Sequence, residues 1–172
     1  MKIAVVGAGK LGCKVVEALL GGDHSVTVID KNQETLDKLV SQMDIMTVNA
    51  NGKSVSVLKS IGIENYDFLI ACTDGDEKNI TIAAFAKSLG CSKVIARVRD
   101  PEHTSQMDFI KDTLGIDYLV NPEFSITLEI YKYLVEKSNL STGIFTSGKA
   151  SLLAFNVNKI PKLIDLPLTE FS

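Results

Sequence analysis

A doubly wound α/β fold, in which helices cover both faces of a parallel sheet, is what this sequence of 172 residues predicts. Three observations predict it. Six short apolar runs alternate with six helical patterns. The first joint between them is a glycine-rich turn, and an acid closes the next apolar run. Runs such as Phe68-Leu69-Ile70-Ala71-Cys72 are apolar without alternation, as expected of parallel strands buried on both faces.

The elements follow in order. The first strand spans 2–7, and a helix over 10–20 carries its apolar stripe at Val15, Val16, Leu19 and Leu20. A second strand, 25–30, contains Val26-Thr27-Val28-Ile29 and ends in Asp30. Further strands are predicted at 45–49, 67–72, 93–98 and 117–120, with helices at 32–43, 54–61, 76–89, 101–114 and 122–137. Gly21, Gly62, Gly90 and Gly115 each fall just past a helix end, where a left-handed residue stops the helix. Asp100-Pro101 and Asn121-Pro122 combine an N-cap with a proline in the first turn. This is the pattern of a Rossmann sheet with strand order 3-2-1-4-5-6. Residues 1–140 form the main domain. Beyond it, Gly143 and Gly148 flank a short link, residues 150–157 read as a strand, and Pro161 and Pro167 break up the tail. About 30 residues are too few for an independent core, so 141–172 read as a linker and the start of a small C-terminal lobe.

With 45% hydrophobic residues the chain can bury a proper core. The 18 basic and 21 acidic residues leave a net charge of −3, without the basic excess expected of a nucleic-acid binder. Cys13, Cys72 and Cys91 make no C-x-x-C pair, which fits a reducing, cytosolic setting. Cys13 sits near a helix N-terminus, so it reads either as an activated thiol or as a small residue packed on the sheet. No apolar run approaches the ~18 residues of a membrane helix.

In Gly7-Ala8-Gly9-Lys10-Leu11-Gly12, Gly7 permits the tight turn, Gly9 lets the backbone approach a pyrophosphate, and Gly12 lets the helix pack on the strand. Asp30, 18 residues after Gly12, can accept from ribose hydroxyls and repel a 2′-phosphate. NAD(H), ATP and ADP are therefore favoured and NADP disfavoured, although Lys31 beside it weakens the contrast. The other strand tips bring Ala50 and Asn51, Thr73 and Asp74, Arg97 and Arg99, and Glu123 to the same crevice. Period two would point Arg97 and Arg99 to one face. With Lys10 they could bind terminal phosphates, or they could pair with Asp74, Asp76 or Glu77; both readings stay open. Glu123 could serve the helix dipole or approach a phosphate-bound cation.

Catalytic groups are scarce. His24 precedes a strand at the wrong end of the sheet, and His103 reads mainly as an exposed first-turn residue. Tyr133 and Lys137 match a Tyr-x-x-x-Lys spacing but lie deep in the last helix, away from the crevice. That helix carries two apolar stripes, one of Phe124, Leu128, Tyr131 and Val135, the other of Ile126, Ile130, Tyr133 and Leu134. Two stripes need two partners: the domain and a second subunit, or the residues beyond 140.

Together the glycine loop, Val26-Thr27-Val28-Ile29-Asp30, the run Thr73-Asp74-Gly75-Asp76-Glu77-Lys78-Asn79 and Ile95-Ala96-Arg97-Val98-Arg99 resemble the TrkA-N domain of the RCK (KTN) family over about residues 1–140. The resemblance implies a non-enzymatic, nucleotide-sensing subunit, cytoplasmic and peripheral on the membrane through a potassium transporter or channel. It also implies a homodimer that can assemble into a ring. The carried-over ligand residues are Gly7, Ala8, Gly9, Lys10, Leu11, Asp30, Thr73, Asp74 and Arg97, with Arg99 and Glu123 as phosphate or cation contacts. The family often has glycine where this chain has Ala50, and a methyl there would narrow the adenine pocket. Residues 149–172 resemble the opening of the family's TrkA-C domain, which suggests a fragment cut inside that lobe in preference to an unusually short natural chain. The competing reading is a small NAD-dependent oxidoreductase, or the detached NAD-binding domain of one, with His103 as its proton-transfer group.

Overall fold

The computed structural model describes residues 1–137, 140–144 and 151–155. The chain divides into two compact units, Met1–Pro122 and Glu123–Ser172.

In the first unit β1 (Lys2–Val6), β2 (Ser25–Asp30), β3 (Met46–Asn49), β4 (Phe68–Ala71), β5 (Lys93–Arg97) and β6 (Tyr118–Val120) form one parallel sheet in the order β3-β2-β1-β4-β5-β6. This is the order the sequence predicts. The helices between the strands are α1 (Lys10–Leu19), α2 (Gln33–Val40), α3 (Val55–Ser60), α4 (Asp76–Ser88), α5 (Pro101–Ser105) and α6 (Met107–Leu114), and a 3₁₀ turn covers Ile63–Asn65. Chain direction reverses its march between β1 and β4, which opens a crevice at the carboxyl ends of those strands.

Two apolar cores sandwich the sheet. Ile3, Val5, Val26 and Val28 meet Val16 of α1 and Leu36 and Leu39 of α2 on one face. Ala4, Val6, Ile29 and Leu69 meet Leu58 of α3 and Ile82, Ala83 and Ala86 of α4 on the other. Successive residues of β1 thus point to opposite faces and are buried on both, which is why the strand shows no polar alternation. Each large aliphatic side chain buried here contributes about 1.5–3 kcal/mol. The polar exception inside β2 is Thr27, whose hydroxyl shares a 2.9 Å hydrogen bond with the phenol of buried Tyr66.

Gly62, Gly90 and Gly115 take positive φ as predicted, but Gly21 does not; α1 stops at a right-handed Leu20. The helix predicted over 101–114 is two helices. At Gln106 the amide turns to the His103 carbonyl, and the next helix opens with the Ile110 amide on the Gln106 carbonyl. Each piece follows its own anchor: the Asp100 amide is tied to α4, while Ile110 packs on a core cluster.

The second unit contains α7 (Pro122–Lys137) and an antiparallel pair, β7 (Leu140–Ile144) with β8 (Ser151–Phe155). The link predicted from 141 is therefore partly a strand, with Gly143 opposite Leu152. Its β-branched Thr142 and Ile144 favour that pairing. Gly148, Pro161 and Pro167 lie outside the described residues. On α7, Phe124, Ile126, Ile130, Tyr131, Tyr133 and Leu134 are exposed, and Leu128 is half-buried. Among the described residues no helix is long and apolar enough to cross a membrane.

Candidate functional site

The three glycines of the β1–α1 turn have different reasons to be glycine. Gly7 has φ 103°, and a methyl group on it would lie 2.9 Å from the Cys72 carbonyl and the Thr73 amide. Gly12 lies against the Gly7 carbonyl, which any side chain would overlap. Gly9 is neither strained nor crowded. Its φ is −71°, and a methyl there would meet no atom of the described residues within 4 Å beyond its own neighbours. It stands at the N-cap of α1, and no side chain of its own caps the first amides of the helix. Ala8 is buried, Leu11 is half-buried and Lys10 is exposed at the first helical position.

Asp30 at the tip of β2 holds this turn. One carboxylate oxygen accepts the Ala8 amide at 2.7 Å and the other the Asn32 amide at 2.8 Å. Each oxygen retains a second lone-pair site for a hydroxyl. Lys31 is exposed beside it. After β3, Ala50 packs on the core and Asn51 closes its own loop, accepting the Lys53 amide at 3.1 Å. Gly52 lies directly against Val6, and any side chain there would overlap that valine. It keeps the loop flat on the end of β1, a role that its place in the sequence does not reveal.

The tips of β4 and β5 are joined by side chains of α4. The Asn79 carboxamide, fully buried, accepts the Thr73 amide and hydroxyl, each at 2.7 Å, and donates to the Arg97 carbonyl at 2.9 Å. The buried Asp76 carboxylate accepts the amides of Arg99 and Asp100, each at 2.7 Å. Arg99 Nε stands 3.7 Å and His103 Nδ1 3.8 Å from the same carboxylate. Burial pushes the Asp76 carboxyl up, but the two amides and the charges of Arg99 and His103 outweigh it and hold its pKa below the usual value. Asp74 is exposed and pairs with Lys78 at 2.8 Å, whose hydrogen bond lowers its pKa.

These contacts revise several sequence readings. β5 ends at Arg97, so Arg99 lies just beyond the strand. The Arg99 guanidinium donates to the Asp74 carbonyl beside Asp76. The pairing alternative thus describes Arg99. The charge of Arg97 is felt at Cys72 beneath the glycine turn. His103 is half-buried against Asp76 rather than exposed. Cys13 is not activated: burial and Glu17 raise its pKa, and its thiol donates to the Ala8 carbonyl at 3.2 Å. Burial pushes Cys72 up to about 11. Glu123 opens α7 in the second unit.

Asn79 and Lys78 have no part in the site that the sequence predicts. A signal for Asn79 was available: with Asp76, Ala83 and Ala86 it falls on the buried stripe of α4. A polar residue on such a stripe must find partners inside the protein.

The family model of the TrkA-N domain matches residues 3–122. The chain belongs to the TrkA-N domain family. A Trk system potassium uptake protein TrkA homolog from Archaeoglobus fulgidus is 29% identical over 157 residues, 91% of this chain and 36% of the relative. The Trk system potassium uptake protein TrkA of Vibrio alginolyticus is 31% identical over 157 residues, 90% of this chain and 34% of its own length. The chain thus spans about a third of these relatives. Among solved structures, the TrkA-N domain of the inner membrane protein ybaL from Escherichia coli superposes with a TM-score of 0.68 at 22% identity, covering 77% of this chain and 96% of that one. A Kef C-terminal domain from Shewanella denitrificans in AMP-bound form gives 0.64 at 18% identity over 80% and 82%. The GsuK channel bound to NAD gives 0.59 at 20% identity over 69% and 21%. Such TrkA-N likenesses establish the Rossmann fold for this chain.

Proposed function

We propose that this chain is the nucleotide-sensing part of a cytoplasmic, non-enzymatic subunit that regulates a membrane potassium transporter or channel. Gly9 carries the nucleotide reading. Neither backbone strain nor packing within the described residues requires a glycine there, so the open space it leaves at the α1 N-terminus is best explained by a phosphate-bearing ligand. Asp30, already oriented by two amides, offers its free lone pairs to the hydroxyls of a ribose, which favours NAD(H), ATP or ADP over NADP. Lys10 and Arg97 supply positive charge for the phosphates. The potassium reading is supported by the relatives named as Trk potassium uptake proteins, and the ligand class by the AMP-bound and NAD-bound neighbours.

A ligand moves a gate only as far as it binds one conformation better than the other. The exposed apolar side chains of α7 offer a surface for a second copy, and a dimer within a ring would turn ligand preference into a change of shape.

Calorimetric titration of the chain with ATP, ADP, NADH and NADPH, with sedimentation of the same samples, tests this reading. The expected result is binding of the three ligands with a free 2′-hydroxyl, weak or no binding of NADPH, and a ligand-sensitive dimer. Arg97→Ala is expected to change the ranking of ATP, ADP and NADH more than the melting temperature. Absence of all nucleotide binding would overturn the sensor reading.

A further inference from the structure

We propose that Asn79 is a specificity-determining positioning residue: it makes the Thr73 hydroxyl at the tip of β4 a hydrogen-bond acceptor, so that hydroxyl receives a donor group of a dinucleotide's second half and not a phosphate. The inference rests on the nucleotide reading above and deepens it by naming the ligand chemistry beyond the pyrophosphate.

The argument begins with which way the carboxamide faces. The Thr73 amide can only donate and the Arg97 carbonyl can only accept. Asn79 must therefore turn Oδ1 to Thr73 and Nδ2 to Arg97, as the 2.7 Å and 2.9 Å contacts have it. The Thr73 hydroxyl lies 2.7 Å from the same Oδ1, which has no proton, so the hydroxyl has to donate its only proton there. Both protons that Thr73 could offer a ligand, from its amide and its hydroxyl, are consumed by one buried side chain. What Thr73 itself keeps for a ligand is an oxygen with lone pairs.

The consequence is chemical selection. An anionic phosphate oxygen needs donors and gains none from Thr73, whereas a ribose hydroxyl or a carboxamide N–H finds an acceptor. Asn79 is 0% exposed, and its two shortest acceptor contacts and its 2.9 Å donor contact all go to Thr73 and Arg97. A buried amide costs free energy that an apolar residue on this stripe would not. Its bonds serve two residues of the candidate crevice.

The test measures the affinities of NADH and ATP for the wild-type chain and for Thr73→Val, Thr73→Ser and Asn79→Leu. Thr73→Val keeps the shape and removes the acceptor. NADH should weaken about tenfold, roughly one hydrogen bond, with ATP unchanged, and Thr73→Ser should restore NADH binding. Asn79→Leu frees the hydroxyl proton, so the ratio of ATP to NADH affinity should rise. Should that buried substitution prevent folding, the two threonine variants still decide. Equal weakening of both ligands by Thr73→Val, or no weakening of either, overturns the role of Asn79. A wild-type chain that binds neither ligand overturns the nucleotide reading itself, and this is seen before any variant is made.

Discussion

On the β1–β2 side of the crevice the chain is held by backbone geometry and one carboxylate, whereas on the β4–β5 side it is held by buried polar side chains. The glycine turn closes because Gly7 and Gly12 allow contacts that no side chain permits, with Asp30 fastening the Ala8 amide across a 2.7 Å hydrogen bond. The opposite wall closes because Asp76 and Asn79 reach from one helix to amides, carbonyls and a hydroxyl on two strand tips. The first arrangement leaves the first amides of α1 uncapped by the side chain of its N-cap residue. The second spends the Thr73 amide and hydroxyl and the Arg99 and Asp100 amides inside the protein. The glycine turn is therefore suited to phosphate and the Thr73 hydroxyl to groups that donate.

Substitutions that strike one wall at a time sharpen this contrast. Gly12→Ala should have the largest effect, because the new methyl meets backbone atoms of Gly7, which have nowhere to go. A loss of about 3 kcal/mol or more is expected in denaturant unfolding, together with loss of all nucleotide binding. A variant as stable as the wild type would show that the turn is not held by that contact.

Asp76→Asn should come next. At neutral pH it removes a charged acceptor from two amides, and thermal melts should report a loss of about 2 kcal/mol. The pH dependence has a defined sign. The folded pKa of Asp76 is depressed, so its contribution is fully present above the unfolded value near ~3.9 and fades as pH falls through the folded value. Wild type and variant should therefore converge at acid pH. A gap that persists there would assign the loss to packing instead of charge.

Lys78→Ala should have the smallest effect. Its partner Asp74 is exposed, and solvent screens the pair. The melting temperature should not move, and a clear fall would mean that the β4–α4 corner depends on surface charge as well as on Asn79.

How much of this was legible differs between the walls for a physical reason. The glycine turn and Asp30 are local: the spacing of glycines and the acid at a strand end follow from a few consecutive residues and can be read in order. The buried wall is not local. Arg99 reads either as a phosphate ligand or as a partner of the acids at Asp74, Asp76 and Glu77 until the structure sets it on the Asp74 carbonyl, and His103 looks exposed until α5 sets it beside Asp76. Asn79 could have been singled out as a polar residue on a buried helical stripe, but its partners, at positions 73 and 97, belong to two different strands.

By itself the sequence determined the alternation of strands and helices, the order of the sheet and the place of the crevice, because apolar runs, turn glycines and proline caps act over a few residues. The tertiary structure alone decided which charges are spent inside the fold and which way the Thr73 hydroxyl points. Those outcomes depend on donors and acceptors that only the packing of α4 against β4 and β5 brings within hydrogen-bonding distance.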